Sequence, residues 1–379
     1  MTKRLSIRNL GPITEADLSF EDLTILVGPQ ATGKSITLQL VKLLVDTGSV
    51  HHELKKYGLD WNGELPKFLE VYFGEGMKSI WGETSSIRWN GADVDLTVRA
   101  RGRNRSLKEN LFYIPAQRVI AMRDGWPRPF ADYRPGDPYI VRQYSEQLRV
   151  LLENEFPTAN LFPKDRRLKK ELREGLKQHV FGDFGLQIDS SRLQKRLVLD
   201  KPSTHAQLPY MVWSAGQREF VPMLLGFYWL MPSAQTAKRE GIEFVVIEEP
   251  EMGLHPSAIS VVLFLALELI KRGYKVVMST HSPQVLELVW VLGALRNAKA
   301  NSSALLEVFS VRKNVETRKV ADAALRSSTA VHYFERETGC VRDISALDPF
   351  SDDPWVSEWG GLVEFSARTN AVVARVMGS

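Results

Sequence analysis

The chain has 379 residues, 44% hydrophobic and 25% charged, a balance that excludes a disordered chain and supplies a well-buried core. Its one cysteine, Cys340, excludes an intramolecular disulfide framework and Cys-rich metal sites, and fits a reducing, cytoplasmic setting. The net charge of +4 permits an acidic partner without requiring one, and the most apolar helical stretches, 220–231 and 258–270, are too short to cross a bilayer, so no membrane contact is expected. Met1-Thr2-Lys3-Arg4 leads into alternating strand-like residues rather than the apolar run of a signal peptide.

Residues 4–10, 15–20 and 23–27 read as three short strands with turns at 11–12 and 21–22. Alternation in the first two predicts a half-exposed antiparallel layer beside the buried third. Immediately after it, Gly28, Pro29, Gln30, Ala31, Thr32, Gly33, Lys34 and Ser35 fit the phosphate-loop pattern G-x-x-x-x-G-K-[ST] without a gap. Ile36 opens a helical pattern over 36–46 and completes the candidate nucleotide-binding segment. Strand, glycine loop and helix are the context this motif requires. The glycines allow positive φ, so successive N–H groups turn inward, and the helix start adds free N–H groups and a positive dipole end. Lys34 would place its ammonium between the β- and γ-phosphates of a nucleotide, and the Ser35 hydroxyl would be one oxygen ligand of Mg²⁺.

A helix is predicted over 64–73, then a hairpin with strands 86–89 and 93–100 around Asn90-Gly91. The second strand runs into Arg99, Arg101, Arg103, Arg105 and Lys108, which read as a solvated hairpin tip or as contacts to nucleic acid. An apolar strand over 111–117 ends at Gln117, and 122–138, rich in Pro, Gly, Arg and aromatics, reads as a long ordered loop. From 141 to 199 the pattern turns helical and charged, with seven Lys or Arg against three Asp or Glu in 164–178. It reads as an inserted helical arm whose charged face is either solvated or a docking surface.

The second half opens with Trp213-Ser214-Ala215-Gly216-Gln217 and an apolar helix to 231. A buried strand over 242–247 ends at Glu248-Glu249, a helix covers 256–271, and a strand over 275–279 ends at Thr280-His281-Ser282-Pro283. Strands alternating with helices imply a mostly parallel sheet, with a site in the loops at its carboxyl ends. The tail reads as strands over 330–336 and 341–344, an acidic loop over 348–353 and a last helix over 356–376. Paired carboxylates at a buried strand end have no packing reason to be there. One can bind Mg²⁺, directly or through water, while the other orients and deprotonates an attacking water. Gln117 can ligate the metal or sense the γ-phosphate, and His281 can hydrogen-bond a developing phosphate charge.

The order of these motifs resembles the ATP-binding-cassette type of ATPase in its soluble SMC, RecF and OLD-like branch. The resemblance rests on the phosphate loop at 28–35, a Q-loop candidate at Gln117, a signature-like Trp213-Ser-Ala-Gly-Gln217, the block Glu248-Glu-Pro-Glu-Met-Gly-Leu-His-Pro256, and Ser279-Thr-His-Ser282. The opening 4–13 and Tyr113-Ile-Pro-Ala116 are similar to the short AAA-type ATPases of bacterial defence systems. It implies an α/β P-loop NTPase fold, an ABC-ATPase head with a mostly parallel central sheet, an antiparallel β layer at the N-terminus and a short helical insertion. The corresponding organisation is an N-terminal lobe at 1–140, a helical arm at 141–205 and a C-terminal lobe at 206–379.

By the same resemblance, ATP and Mg²⁺ are the cofactors. Ser35, Gln117 and Glu248 would hold the metal, Glu249 would be the catalytic base, Glu248 its acidic neighbour and His281 the switch. Ser214, Gly216 and Gln217 would act in trans on the partner's nucleotide, which implies a homodimer or a higher homo-oligomer. Three positions depart from the pattern: Glu248 stands for the commoner aspartate, Ala215 for a glycine and Gln30 for an asparagine. The longer Glu248 favours a water-mediated metal contact. The function implied is an ATP-hydrolysing dimeric switch that regulates a separate effector chain, a nuclease or toxin, in anti-phage defence. Two alternatives are a DNA-binding ATPase of repair or maintenance and a scaffold that ATP locks with incidental turnover. Asp348, Asp352 and Asp353 lie in a Pro-containing loop and do not read as metal ligands.

Overall fold

The computed structural model describes residues 3–102, 106–156, 160–191, 194–204, 206–232, 238–349 and 351–377. In chain order the first part runs β1 (Lys3–Leu10), β2 (Ile13–Phe20), β3 (Leu23–Val27), α1 (Lys34–Lys56), α2 (Leu65–Phe73), β4 (Trp81–Trp89), β5 (Ala92–Val94), α3 (Leu96–Arg101) and β6 (Leu111–Ile114). Next come β7 (Met122–Arg123), β8 (Trp126–Pro127), α4 (Tyr139–Glu155), β9 (Asn160–Phe162), α5 (Lys170–Leu176), β10 (Gly185–Asp189), β11 (Arg196–Lys201) and β12 (Ala206–Pro209). The remainder is α6 (Ala215–Leu230), β13 (Phe244–Glu248), α7 (Pro256–Lys271), β14 (Lys275–Thr280), α8 (Pro283–Asn297), α9 (Ser302–Val308), α10 (Val315–Arg326), β15 (Thr329–Phe334), β16 (Val341–Asp343), α11 (Pro354–Ser357) and α12 (Glu364–Met377).

The central sheet has the order β16-β15-β3-β14-β13-β6. All its strands are parallel except β16, which pairs antiparallel with β15. The strands are continuous apolar runs because both faces are covered. Alternate residues feed two cores: Ile25, Ile247 and Met278 on one face, Leu26, Val246 and Val277 on the other. The second core also takes α1 and the antiparallel sheet β2-β1-β4-β5, in line with the half-exposed layer expected from β1 and β2. Since the parallel strands share one direction, Val27, Phe334, Thr280, Glu248 and Ile114 all end on one edge, where a ligand belongs in such sheets. No helix among the described residues is long and apolar enough to cross a membrane.

Four expectations change. The helix expected over 36–46 runs on to Lys56 after a kink at Asp46. The Asp46 carboxylate accepts hydrogen bonds from Lys42 at 2.8 Å and from the amides of Asn110 and Leu111 at 2.7 and 3.1 Å, tying α1 to the start of β6. The hairpin strand over 93–100 stops at Val94, because Asp95 caps a helix by accepting from the amides of Thr97 and Val98. Arg99 and Arg101 therefore lie on α3, and Arg103 and Arg105 lie outside the described residues.

Residues 141–205 are not a helical arm. After α4 the chain from β9 to β12 forms a four-stranded antiparallel sheet, β12-β11-β10-β9, with α5 between its first two strands in sequence. Leu186, Leu197 and Leu199 join the main core, so alternation over 185–189 and 196–201, masked by surrounding charge, governs this segment. Its basic run is also largely neutralised: Arg167 pairs with Glu155, Lys169 with Glu268, Lys170 with Glu174 and Arg173 with Asp165. Finally, the last helix is two, α11 and α12, interrupted at Gly360 and Gly361, both with positive φ.

Candidate nucleotide site

The phosphate loop closes on itself. Gly28, Ala31 and Gly33 have φ of 142°, 61° and 99°, and a Cβ at Gly33 would lie 2.6 Å from an Ile13 side-chain carbon. Lys34 is buried, and its Nζ donates to the carbonyls of Gly28 and Pro29 at 2.7 and 2.6 Å. Burial is the main cause that pulls its pKa down to about 8, and Arg336 adds to it; Glu249, Glu248 and Glu251 oppose the shift. Thr32 donates to the Pro29 carbonyl at 2.9 Å. Ser35 and Ile36 begin α1, Ser35 exposed, and Gln30 lends its carbonyl to Arg336 at 2.9 Å.

Glu248 ends β13 fully buried, and burial raises its pKa against the Ser35 hydroxyl, the Ala116 amide and the Tyr113 phenol. Its Oε2 accepts from the Ala116 amide at 3.1 Å, while Oε1 has no hydrogen-bond partner. A buried carboxylate oxygen left open beside a serine hydroxyl suits a hard cation. Glu249 follows with a φ of 44°, strained for this residue type, and its carboxylate lies 3.6 Å from Nε2 of His281. Burial and the Lys34 charge lower the His281 pKa, so a neutral ring is favoured. The structure thus brings Lys34, Ser35, Glu248, Glu249 and His281 to one edge.

Three side chains that motif reading passed over hold this edge together. Arg118 is buried in the turn that Gln117 opens, and donates to the carbonyls of Pro115, Glu248 and Glu249 at 3.1, 2.6 and 3.0 Å. It also lies 3.6 Å from Glu219 on α6. Glu251 accepts from the Thr280 hydroxyl at 2.8 Å and from the His281 amide at 2.7 Å, which fixes the histidine's turn. Position beside Gln117 was the available signal for Arg118, and the Glu-Glu-Pro-Glu block for Glu251. Gln117 itself is exposed at the β6 end.

The signature-like segment begins α6. Ser214 and Gln217 form a reciprocal capping box, with hydrogen bonds of 3.2 and 3.1 Å. A Cβ at Gly216 would sit 2.8 Å from the Gly253 carbonyl, so this helix start presses on the loop that follows Glu249.

Over 116 residues the chain is 27% identical to the Old nuclease of Escherichia phage P2, covering 31% of this chain and 19% of that protein. The chain thus spans about a fifth of the length of that relative. Among solved structures, the SMC head domain from Thermotoga maritima aligns with 90% of this chain and 97% of its own, at a TM-score of 0.37 and 13% identity. An SmcHead bound to the C-winged helix domain of ScpA aligns with 90% of this chain and 96% of its own, at 0.43 and 10% identity. Residues 23–287 match the model of the family described as "AAA domain, putative AbiEii toxin, Type IV TA system". That match takes in most of the chain, from β3 past the His281 turn, and the chain belongs to this family.

Proposed function

We propose that the chain hydrolyses ATP as a dimeric switch that regulates a separate effector chain of nuclease or toxin type, in defence against phage. One observation carries this reading: adjacent parallel strands deliver Lys34, Glu248, Glu249 and His281 to a single edge, with Glu249 and His281 3.6 Å apart. Lys34 exchanges its two loop carbonyls for phosphate oxygens, and the loop amides and the start of α1 hold the rest of the anion. Ser35 and the open Glu248 oxygen fit Mg²⁺, with Gln117 completing the set. When bound, the metal neutralises charge on the β- and γ-phosphates. Glu249 accepts the proton of the water attacking the γ-phosphorus, and the products are ADP and phosphate. His281 hydrogen-bonds the γ-phosphate as its charge develops. Ser214, Gly216 and Gln217 reach the partner's nucleotide from the α6 start, whose positive dipole end faces the anion while the Ser214 and Gln217 amides are held in the capping box. The names of the family and of the phage relative support the defence context and the effector class.

The test is Glu249→Gln. This isostere is expected to slow hydrolysis by roughly 10²–10⁴-fold while ATP and Mg²⁺ still bind, so mass photometry shows an ATP-dependent step from monomer to dimer. Hydrolysis that survives the substitution would sink the assignment of the base.

A further inference from the structure

β15 lies parallel to β3, in register from Thr329 opposite Leu23 to Tyr333 opposite Val27, so its end arrives at the phosphate loop. The approach is close: a Cβ at Gly28 would lie 2.5 Å from the Phe334 carbonyl oxygen. Two residues further on, the exposed Arg336 donates from Nη2 to the Gln30 carbonyl at 2.9 Å. Its neighbour Glu335 is engaged elsewhere, by Arg342 and by the Thr338 hydroxyl. Among the described residues Arg336 has no carboxylate within ion-pair distance, although the chain has many acids to offer. Its charge is felt at Lys34, whose pKa it helps to lower. Two cations at one loop, Lys34 within it and Arg336 reaching it from beyond β15, each resting on neutral loop carbonyls, raise the local affinity for a multiply charged anion.

We propose that Arg336 is a second cationic ligand of the nucleotide's phosphate chain, supplied by the strand on the opposite side of the loop from Glu248 and Glu249. The guanidinium leaves the Gln30 carbonyl for a phosphate oxygen, a stronger and charge-assisted acceptor that it can engage with two parallel N–H groups. An arginine with an exposed head and a single neutral acceptor loses little by that exchange. The inference rests on the nucleotide reading of the loop and goes beyond its motif residues.

The full chain is titrated with mant-ATP and Mg²⁺ as wild type, Arg336→Ala, Arg336→Lys and Lys34→Ala, and each complex is displaced by inorganic tripolyphosphate. Arg336→Ala should weaken both mant-ATP and tripolyphosphate by roughly tenfold or more, with Arg336→Lys in between and the melting temperature of the ligand-free chain unchanged. Equal affinities for Arg336→Ala and wild type would overturn the inference while Lys34→Ala keeps the parent reading intact. A loss confined to mant-ATP would also overturn it, by moving the contact to the base or ribose. A wild type that binds no mant-ATP removes the nucleotide reading, and this inference with it.

Discussion

Lys34 is the residue at which proton and nucleotide are coupled. Its ordinary pKa of 10.5 falls to about 8, chiefly because its ammonium is buried in the loop. A polyphosphate arriving beside it favours the charged form and so draws a proton in above pH 8. In the ligand-free protein the folded state binds this proton less tightly than the unfolded chain, so the group makes stability rise with pH between about 8 and 10.5. Nucleotide affinity changes in the opposite direction and falls by up to about tenfold per pH unit over the same window. Calorimetry of mant-ATP binding at pH 9 in buffers of different ionisation enthalpy should show uptake approaching one proton, and almost none at pH 7. Lys34→Arg keeps a charge that does not titrate in this range and should abolish the pH-dependent uptake. Uptake unchanged in that variant would locate the proton elsewhere.

At the scale of elements, Arg118 joins three of them: the turn after β6, the end of β13 and, through Glu219, helix α6. Three carbonyls lose their donor when it is removed, and a half-buried Glu219 loses its ion-pair partner. Arg118→Ala should therefore destabilise the fold by about 3–5 kcal/mol, read as a lower denaturant midpoint. Glu219→Gln keeps the packing and removes only the charge that links α6 to this arginine. It should lower kcat several-fold with KM unchanged, because Glu249 is positioned through the carbonyl that Arg118 holds, and a parallel change in KM would count against that route. The elements themselves were unevenly legible. β3, α7 and β13 could be read closely because buried parallel strands are continuous apolar runs and α7 starts at a proline. The phosphate loop, Glu248-Glu249 and His281 were legible as a linear order of motifs. Asp95 misled, since a capping carboxylate outweighs alternation locally, and 185–201 misled because strand alternation there is overlaid with charge. Arg118 and Glu219 lie 101 positions apart and meet only through packing, so no window along the sequence contains their pairing.

On the scale of the whole molecule, the proposed ATPase centre draws its groups from one chain except for the donors that would face a γ-phosphate from the other side. The α6 start offers such donors: Ser214 is exposed, its amide and that of Gln217 are taken up by the capping box, and the amides of Ala215 and Gly216 lie between them at the positive dipole end. The proposed two-fold dimer gives each amide set a phosphate loop on the partner, and it makes each centre a composite of two chains. This organisation predicts complementation. Ser214→Arg should block the α6 start, and Lys34→Ala should cripple the phosphate loop, so each variant alone should hydrolyse ATP at least about a hundredfold more slowly. Mixed in equal amounts, the two form heterodimers in which one centre combines an intact Lys34 with an intact Ser214. Hydrolysis should then return to about a quarter of the wild-type rate if chains pair at random, measured as phosphate release after co-incubation. A centre completed within one chain gives no recovery at any mixing ratio, because each chain then carries its own lesion.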